Sequence, residues 1–326
     1  MEVVKELEDN EWREFVAKIP AGNIFQSPDL AEVYRRSKGF EPALVAVKSG
    51  GEIEALMASV FVSYRSITFS PITTRNIVTG GPIGAHEAIP ILLSAHDEAS
   101  ASRALLTQVR NLEPPKQSQS YVLAGYRWED HLNFLLDLEL GEDELFKTMS
   151  KARRKGIQFA ERSKLEAHSL DRRNLSAAYA LLTGTYDRAK TPLADRSLFE
   201  AAVEVLGPRG HLIGLVAQRD GEPCAVRFVL AWGRTLHDWY AGSSSEGREV
   251  HADEWLVWEL LRRGIQKGFS TFDFGGAGPP GEAYGPREFK RRFGGREINP
   301  GRFEKIYRPI TSRLAKTAYA LWRRWH

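Results

Sequence analysis

LHDWYAGSSSEGREVHADEWLVWELLRRGIQKGFSTFDFGGAGPP, residues 236–280, reads as a strand, a turn, a long helix, a second strand and a glycine-proline loop in direct succession. The helical part, from His251, has acids in its first turn, Lys267 in its last and Gly268 just beyond, which suits both the helix dipole and a glycine stop. Upstream, HLIGLVAQ, CAVRFVLAW and LHDWYAG form a meander, with Asp220-Gly221 and Gly233-Arg234 supplying the turns. Helices starting near Glu142 and spanning Leu175–Arg188 precede it.

The first half follows the same order. A short polar helix comes first, then a helix over 27–38 capped by Ser27, with Pro28 in the first turn where its missing N–H costs nothing. ALVAVKSGGEIEALMASVFVSY alternates apolar and polar residues around Ser49-Gly50-Gly51-Glu52, the signal of a hairpin of two long strands. A strand is expected near Ile77–Thr79, a helix over 87–112, and further strands at Tyr121–Leu123 and His131–Leu138. The repeated order implies an α/β (α+β) chain of two similar domains, 1–139 and 140–309, followed by a basic amphipathic helix over 310–326.

Composition bounds the function classes. A chain of 326 residues with 42% apolar and 27% charged residues is long enough for about two domains and can bury real cores. The net charge of +3 is too small to mark a nucleic-acid binder by itself. One cysteine, Cys224, excludes an internal disulfide and a thiolate zinc cage, fits a reducing compartment and reads as a small core residue. The acidic start MEVVKELEDNEWREF lacks the pattern of a secretory signal, and no stretch reaches the roughly 18–20 apolar residues of a spanning helix, so the expected location is cytoplasmic.

Several familiar motifs fail on inspection. GAGPPG at 276–281 matches G-x-G-x-x-G after a strand, but two prolines stand where a helix would start donating hydrogen bonds, so it reads as a flexible loop beside a site. There is no H-E-x-x-H and no G-x-S-x-G, so neither a metal centre nor a serine nucleophile is indicated. Residues 147–164 hold seven Lys or Arg against one acid, which makes Arg153, Arg154 and Lys155 candidates for a donor or phosphate group. Lys290-Arg291-Arg292 forms a second basic cluster after Phe289. In the tail, Ile310, Leu314, Ala318, Leu321, Trp322 and Trp325 share one helical face, with basic residues opposite, a pattern suited to peripheral contact with an anionic membrane or to docking on the protein itself.

NIFQSPDLAEVY, VTGGPIG, FKTMSKARRKGIQFAERSKLEA, the stretch quoted first and EFKRRFGG together resemble the FemABX family of aminoacyltransferases and their tandem GNAT-fold relatives, across roughly residues 23–308. The resemblance implies two tandem GNAT-like domains with mixed, largely antiparallel sheets flanked by helices. It also implies transfer of an aminoacyl or other acyl group to an amine of a phosphate-bearing or lipid-linked cell-envelope precursor, with aminoacyl-tRNA as donor and no cofactor or metal. By the same resemblance, Lys290 helps hold the donor and stabilise charge beside Phe289, Arg188 contacts acceptor phosphate, Tyr240 faces the substrate groove, and Arg35 or Arg36 serves the acceptor phosphates. Asp238 and Asp273 are possible proton acceptors or orienting groups. The chain lacks the long charged insertion of some members and the Q/R-x-x-G-x-G/A signature for acetyl-CoA. An acyl-CoA-dependent N-acyltransferase and a non-catalytic module for anionic ligands are the alternatives.

Overall fold

The computed structural model describes residues 1–63, 74–115 and 118–312. The chain divides into two units, one built from residues 1–131 together with those from 299 onward, the other spanning Leu132–Ile298.

In the first unit, the strands of the described residues lie in the order Glu2–Val4, Phe40–Ser49, Glu52–Val62, Arg75–Thr79, Leu106–Arg110, Arg302–Ile306, Arg127–Glu129, and a short eighth strand, Ile83–Gly84, pairs antiparallel with Glu52–Val62. All neighbours are antiparallel except Arg75–Thr79 and Leu106–Arg110. The expected hairpin forms, with Gly50 and Gly51 both at positive φ in its turn. The helix Pro28–Arg35 starts as expected, the Ser27 hydroxyl accepting from the Leu30 amide. Ile89–Ala101 packs Leu92 and Leu93 into a core with Val45, Met57, Val78 and Phe303.

The second unit has its own sheet, in the order Arg296–Ile298, Asn133–Asp137, Thr271–Gly276, Thr235–Ser243, Glu222–Trp232, Leu212–Arg219, Leu165–Ser169. Its one parallel pair, among the described residues, is Thr235–Ser243 with Thr271–Gly276. The helix Ala252–Gln266 buries Trp255, Leu256, Trp258, Leu260 and Leu261, and each such side chain removed from water stabilises by about 1.5–3 kcal/mol. Gly264 lets the helix lie close to the sheet: a Cβ there would stand 2.9 Å from Leu236 Cδ1 and 3.1 Å from Leu138 Cδ1, and the two leucine ends would have to shift. Cys224 is a free thiol in this core, its pKa pushed up to about 11 by burial.

Three sequence expectations change. The helix over 87–112 ends at Ala101, and Leu106–Arg110 is a strand, because its Leu, Thr and Val side chains are needed to close the sheet against Arg75–Thr79. Tyr121–Leu123 belongs to a helix, Ser118–Leu123, which stacks the Tyr121 ring on Phe303 with centroids 4.1 Å apart. The boundaries 1–139 and 140–309 also shift. Asn133–Asp137 joins the second sheet, while Arg302–Ile306 returns to the first. The returning strand is fixed by fully buried Phe303 and by Asp97, which accepts from Tyr126, Lys305 and Tyr307, each at 2.6 Å. The proposed tail helix lies, beyond Ser312, outside the described residues. No described helix is long and apolar enough to cross a membrane.

Candidate active site

The parallel pair of the second unit is joined only at Thr235–Thr271, Leu236–Phe272 and His237–Asp273. Beyond these rungs the two strands part. Thr235–Ser243 stays with Glu222–Trp232 through a bulge between Phe228 and Val229. Thr271–Gly276 instead turns at Gly275, φ +67°, and makes its last pairing with Asn133. A fork opens at Asp238 on one strand and Phe274 on the other.

Lys290, on the short helix Gly285–Arg291, reaches this fork. Its Nζ donates to the carbonyls of Phe274 (2.7 Å), Gly276 (2.8 Å) and Gly275 (3.2 Å). Three acceptors match the three N–H groups of an ammonium, so the strand end is capped by a charge rather than by another strand. Burial opposes that charge and lowers the Lys290 pKa to about 8, against attraction from Asp238. A cation that titrates just above neutrality at the mouth of a strand fork suits charge stabilisation or proton donation.

Beside it, Arg227 stands mid-strand with its side chain 3% exposed and bonds Asp238 Oδ2 at 2.5 Å and Asp253 Oδ1 at 2.6 Å. Burial opposes its charge, and the two carboxylates override it, leaving the pKa raised. Burial also pushes the Asp238 carboxyl up, against Arg227 and Lys290. Asp273 is the opposite case. Burial works against its charge, yet His237, the Asn133 amide at 2.7 Å and the Gly275 N–H at 2.7 Å hold its pKa down. Asp273 is therefore a structural acceptor that locks the turn at Gly275, while Asp238 keeps one oxygen without a partner.

The Lys290 helix is anchored by two arginines. Arg287 donates to the carbonyls of Ala277 (2.9 Å), Glu282 (2.9 Å) and Pro279, so the glycine-proline loop is wrapped around it and is not a free flap. Arg153, expected to bind a donor or phosphate, is instead internal, its side chain 4% exposed. Its guanidinium lies 4.4 Å and 4.3 Å from the ring centres of Phe289 and Phe293, bonds the Phe289 carbonyl at 2.9 Å and pairs with Glu254 at 2.8 Å. With every strong contact made inside the unit, and burial lowering its pKa to about 10, Arg153 positions the Phe289-Lys290 segment.

The other expected residues disperse. Arg154 donates to the carbonyls of Lys147 and Met149 at the end of the preceding helix, and Lys155 is exposed. Tyr240 is half-buried on the far part of the fork strand, in an aromatic cluster with Phe199, Trp239 and Tyr186. Arg188 is exposed and donates to the Ser243 carbonyl at 2.7 Å, where Arg248 also converges at 3.2 Å. Arg35 and Arg36 belong to the first unit and both bind Glu32. Sequence reading missed Arg227 and Asp253. The available signal was a single charge inside the apolar strand CAVRFVLAW, which demands a buried carboxylate partner. Among the described residues no group of three or more His, Cys, Asp or Glu side chains is arranged to hold a metal ion.

Residues 145–291, which contain this fork and Lys290, match the acetyltransferase (GNAT) domain family. No curated protein matches the sequence. Among solved structures, FemX is 17% identical with a TM-score of 0.73, covering 96% of this chain and 99% of its own. The C-terminal domain of a putative lysylphosphatidylglycerol synthetase from Agrobacterium fabrum is 15% identical with a TM-score of 0.61, covering 95% and 94%. A tandem GNAT protein from the clavulanic acid biosynthesis pathway is 11% identical with a TM-score of 0.62, covering 94% and 98%. The whole chain thus shares its fold with FemX and with the tandem GNAT protein, and its second unit carries the segment that matches the acetyltransferase (GNAT) domain family.

Proposed function

We propose that the protein is an acyltransferase that moves an aminoacyl group from an activated ester to an amine of a phosphate-bearing or lipid-linked precursor. The observation that carries this reading is the Lys290 ammonium set in the strand fork, where three backbone carbonyls hold it. An acyl carbonyl entering the fork competes with the weakest of these acceptors, Gly275 at 3.2 Å, and gains a cation beside the oxygen that becomes negative during attack. Proton donation from Lys290 to the departing oxygen follows from the same position. The fold shared with FemX and with the lysylphosphatidylglycerol synthetase domain supports an aminoacyl-tRNA donor and a lipid-linked acceptor. Arg188 and Arg248, converging on the Ser243 carbonyl, are the cations that would meet acceptor phosphate.

An acyl-CoA donor is the second reading, favoured by the match of residues 145–291 to an acetyltransferase domain. A donor screen with charged tRNAs and acyl-CoAs against amine-bearing lipid and peptidoglycan precursors separates the two. Aminoacyl transfer that is lost in Lys290→Ala is the expected result, and transfer from acyl-CoA alone would replace the first reading by the second.

A further inference from the structure

The helix Ala252–Gln266 begins at His251, whose backbone is left-handed, φ +57° and ψ +32°, a conformation that few residues other than glycine adopt and that persists where the surroundings hold it. That turn sets the imidazole against the helix Lys151–Arg162. A Cβ at Gly156 would stand 3.2 Å from His251 Nδ1, and the Phe159 ring meets the imidazole edge to face with centroids 5.9 Å apart. Unlike Arg153, this histidine is open to water, its side chain 43% exposed. Its Nδ1 lies 3.3 Å from Glu254 Oε1, and the same oxygen holds Arg153 at 2.8 Å. A carboxylate only accepts, so Nδ1 carries the proton in this contact and two donors share one oxygen.

The consequence runs inward. Arg153 Nε has no partner, so its guanidinium rests on two bonds, one to Glu254 and one to the Phe289 carbonyl, and on the Phe289 and Phe293 rings. Lys290 is the next residue in the chain. From solvent to the ammonium the path is His251, Glu254, Arg153, Phe289, Lys290, each step a contact or a peptide bond. The charged groups around the imidazole are Glu254 on its own helix and, behind it, Arg153, with Lys155 and Arg162 exposed on the face of Lys151–Arg162 that carries Phe159. From the helix Ser245–Glu249, the Arg248 carbonyl accepts from the His251 N–H at 3.2 Å, while the Arg248 side chain is turned to the Ser243 and Ser244 carbonyls.

We propose that His251 is a pH-responsive positioning residue for Lys290, acting through Glu254 and Arg153. Its catalytic consequence rests on the acyl-transfer reading; the linkage itself does not. An imidazole gains its charge as pH falls from about 8 to 5, and the imidazolium then takes a larger share of Glu254 Oε1 and repels Arg153. Arg153 loosens its hold on the Phe289 carbonyl, and Lys290 is no longer fixed under the carbonyls of Phe274, Gly275 and Gly276. The neutral ring restores the seat. Transfer therefore falls in acid even though Lys290 keeps its ammonium there.

The readout is the Lys290 Cε signal in protein labelled with ε-13C lysine, assigned with Lys290→Arg and followed over about pH 5 to 9. The wild type is expected to show an inflection in the imidazole range, apart from the lysine's own. That inflection should vanish in His251→Asn, since Asn tolerates the left-handed backbone and does not titrate. Gly156→Ala keeps every charge but displaces the ring, and should reduce the inflection by about half or more. A wild type without the inflection overturns the proposal. So does an inflection that persists in His251→Asn, because it then comes from His237, which pairs with Asp273 at 3.3 Å. In the transfer assay, wild-type kcat should drop about fivefold between roughly pH 7.5 and 5.5 with KM within about twofold, and His251→Asn should stay flat. A His251-dependent inflection without transfer from any donor removes the acyl-transfer reading and leaves the linkage standing; transfer without that inflection does the reverse.

Discussion

The two units solve the same problem of a parted sheet with opposite chemistry. In the first, the parallel pair is closed over five residues, from Arg75–Leu106 to Thr79–Arg110, and the Gly80 N–H continues it to the Arg110 carbonyl at 2.9 Å. Its break lies elsewhere, between Glu52–Val62 and Arg75–Thr79, whose pairing covers only Val60–Val62. There the buried Gln26 amide replaces the missing rungs, donating to the carbonyls of Ala58 and Thr79 and accepting from the Ala58 N–H. In the second unit the parallel pair opens after three rungs, and a lysine ammonium caps one edge. A neutral amide offers both donor and acceptor and stitches strands together. An ammonium offers only donors, leaves the facing strand's groups available and carries a charge that chemistry can use. Under the proposed function, the first break serves stability and the second reactivity.

Substitutions that exchange these roles test the contrast. The largest effect is expected from Lys290→Ala, which should lower the transfer rate by about a hundredfold to a thousandfold, as removal of one charge-stabilising donor commonly does, while circular dichroism shows an intact fold. Next comes Arg153→Met. It leaves Glu254 without its guanidinium and unseats the Phe289-Lys290 segment, so chemical denaturation should show a loss of about 3 kcal/mol, together with a lower kcat. Gln26→Ala, in contrast, should cost about 2 kcal/mol by stranding the Ala58 and Thr79 groups, and leave kcat of the remaining folded enzyme unchanged. A kcat that falls with Gln26→Ala would erase the distinction between the two breaks.

The smallest effect is one of pH. In the proposed reaction Lys290 acts as the protonated ammonium, and burial lowers its pKa to about 8, so its charge is present below that value and lost above it. The rate of transfer should therefore decline about tenfold per unit as pH rises past roughly 8. A pH–rate profile flat to pH 10 would mean that Lys290 contributes by position and not by its proton.

How much of this was legible beforehand depends on the range of the interactions involved. The meander, the helix from Ala252 and the Ser27 cap were readable because each is set by near neighbours: turn glycines, a 3.6-residue apolar stripe and a hydroxyl three residues from its partner. Phe289 and Lys290 were singled out through family likeness; Lys290 bonds the Phe274 carbonyl at the strand end, and the Phe289 ring packs against the Arg153 guanidinium. Arg153 was misread as ligand-facing, because a basic run looks the same whether its charges face solvent or, as here, one of them is folded between two rings and paired with Glu254. Leu106–Arg110 was misread for a similar reason. Its apolar spacing is compatible with a helix, and only the strands on either side of it, Arg75–Thr79 and Arg302–Ile306, decide otherwise.

The sequence by itself determined most of the element types, Leu106–Arg110 and Tyr121–Leu123 excepted, together with the duplicated order and the supply of cations and carboxylates, since local backbone preference and apolar periodicity are written residue by residue. Only the tertiary structure decided that Arg302–Ile306 crosses back to the first sheet, that the second parallel pair parts after His237, and that Arg227, Asp238, Asp253 and Lys290 share one buried neighbourhood. These outcomes depend on contacts between residues tens to hundreds of positions apart, whose energies come from burial and pairing, and no short window of sequence carries them.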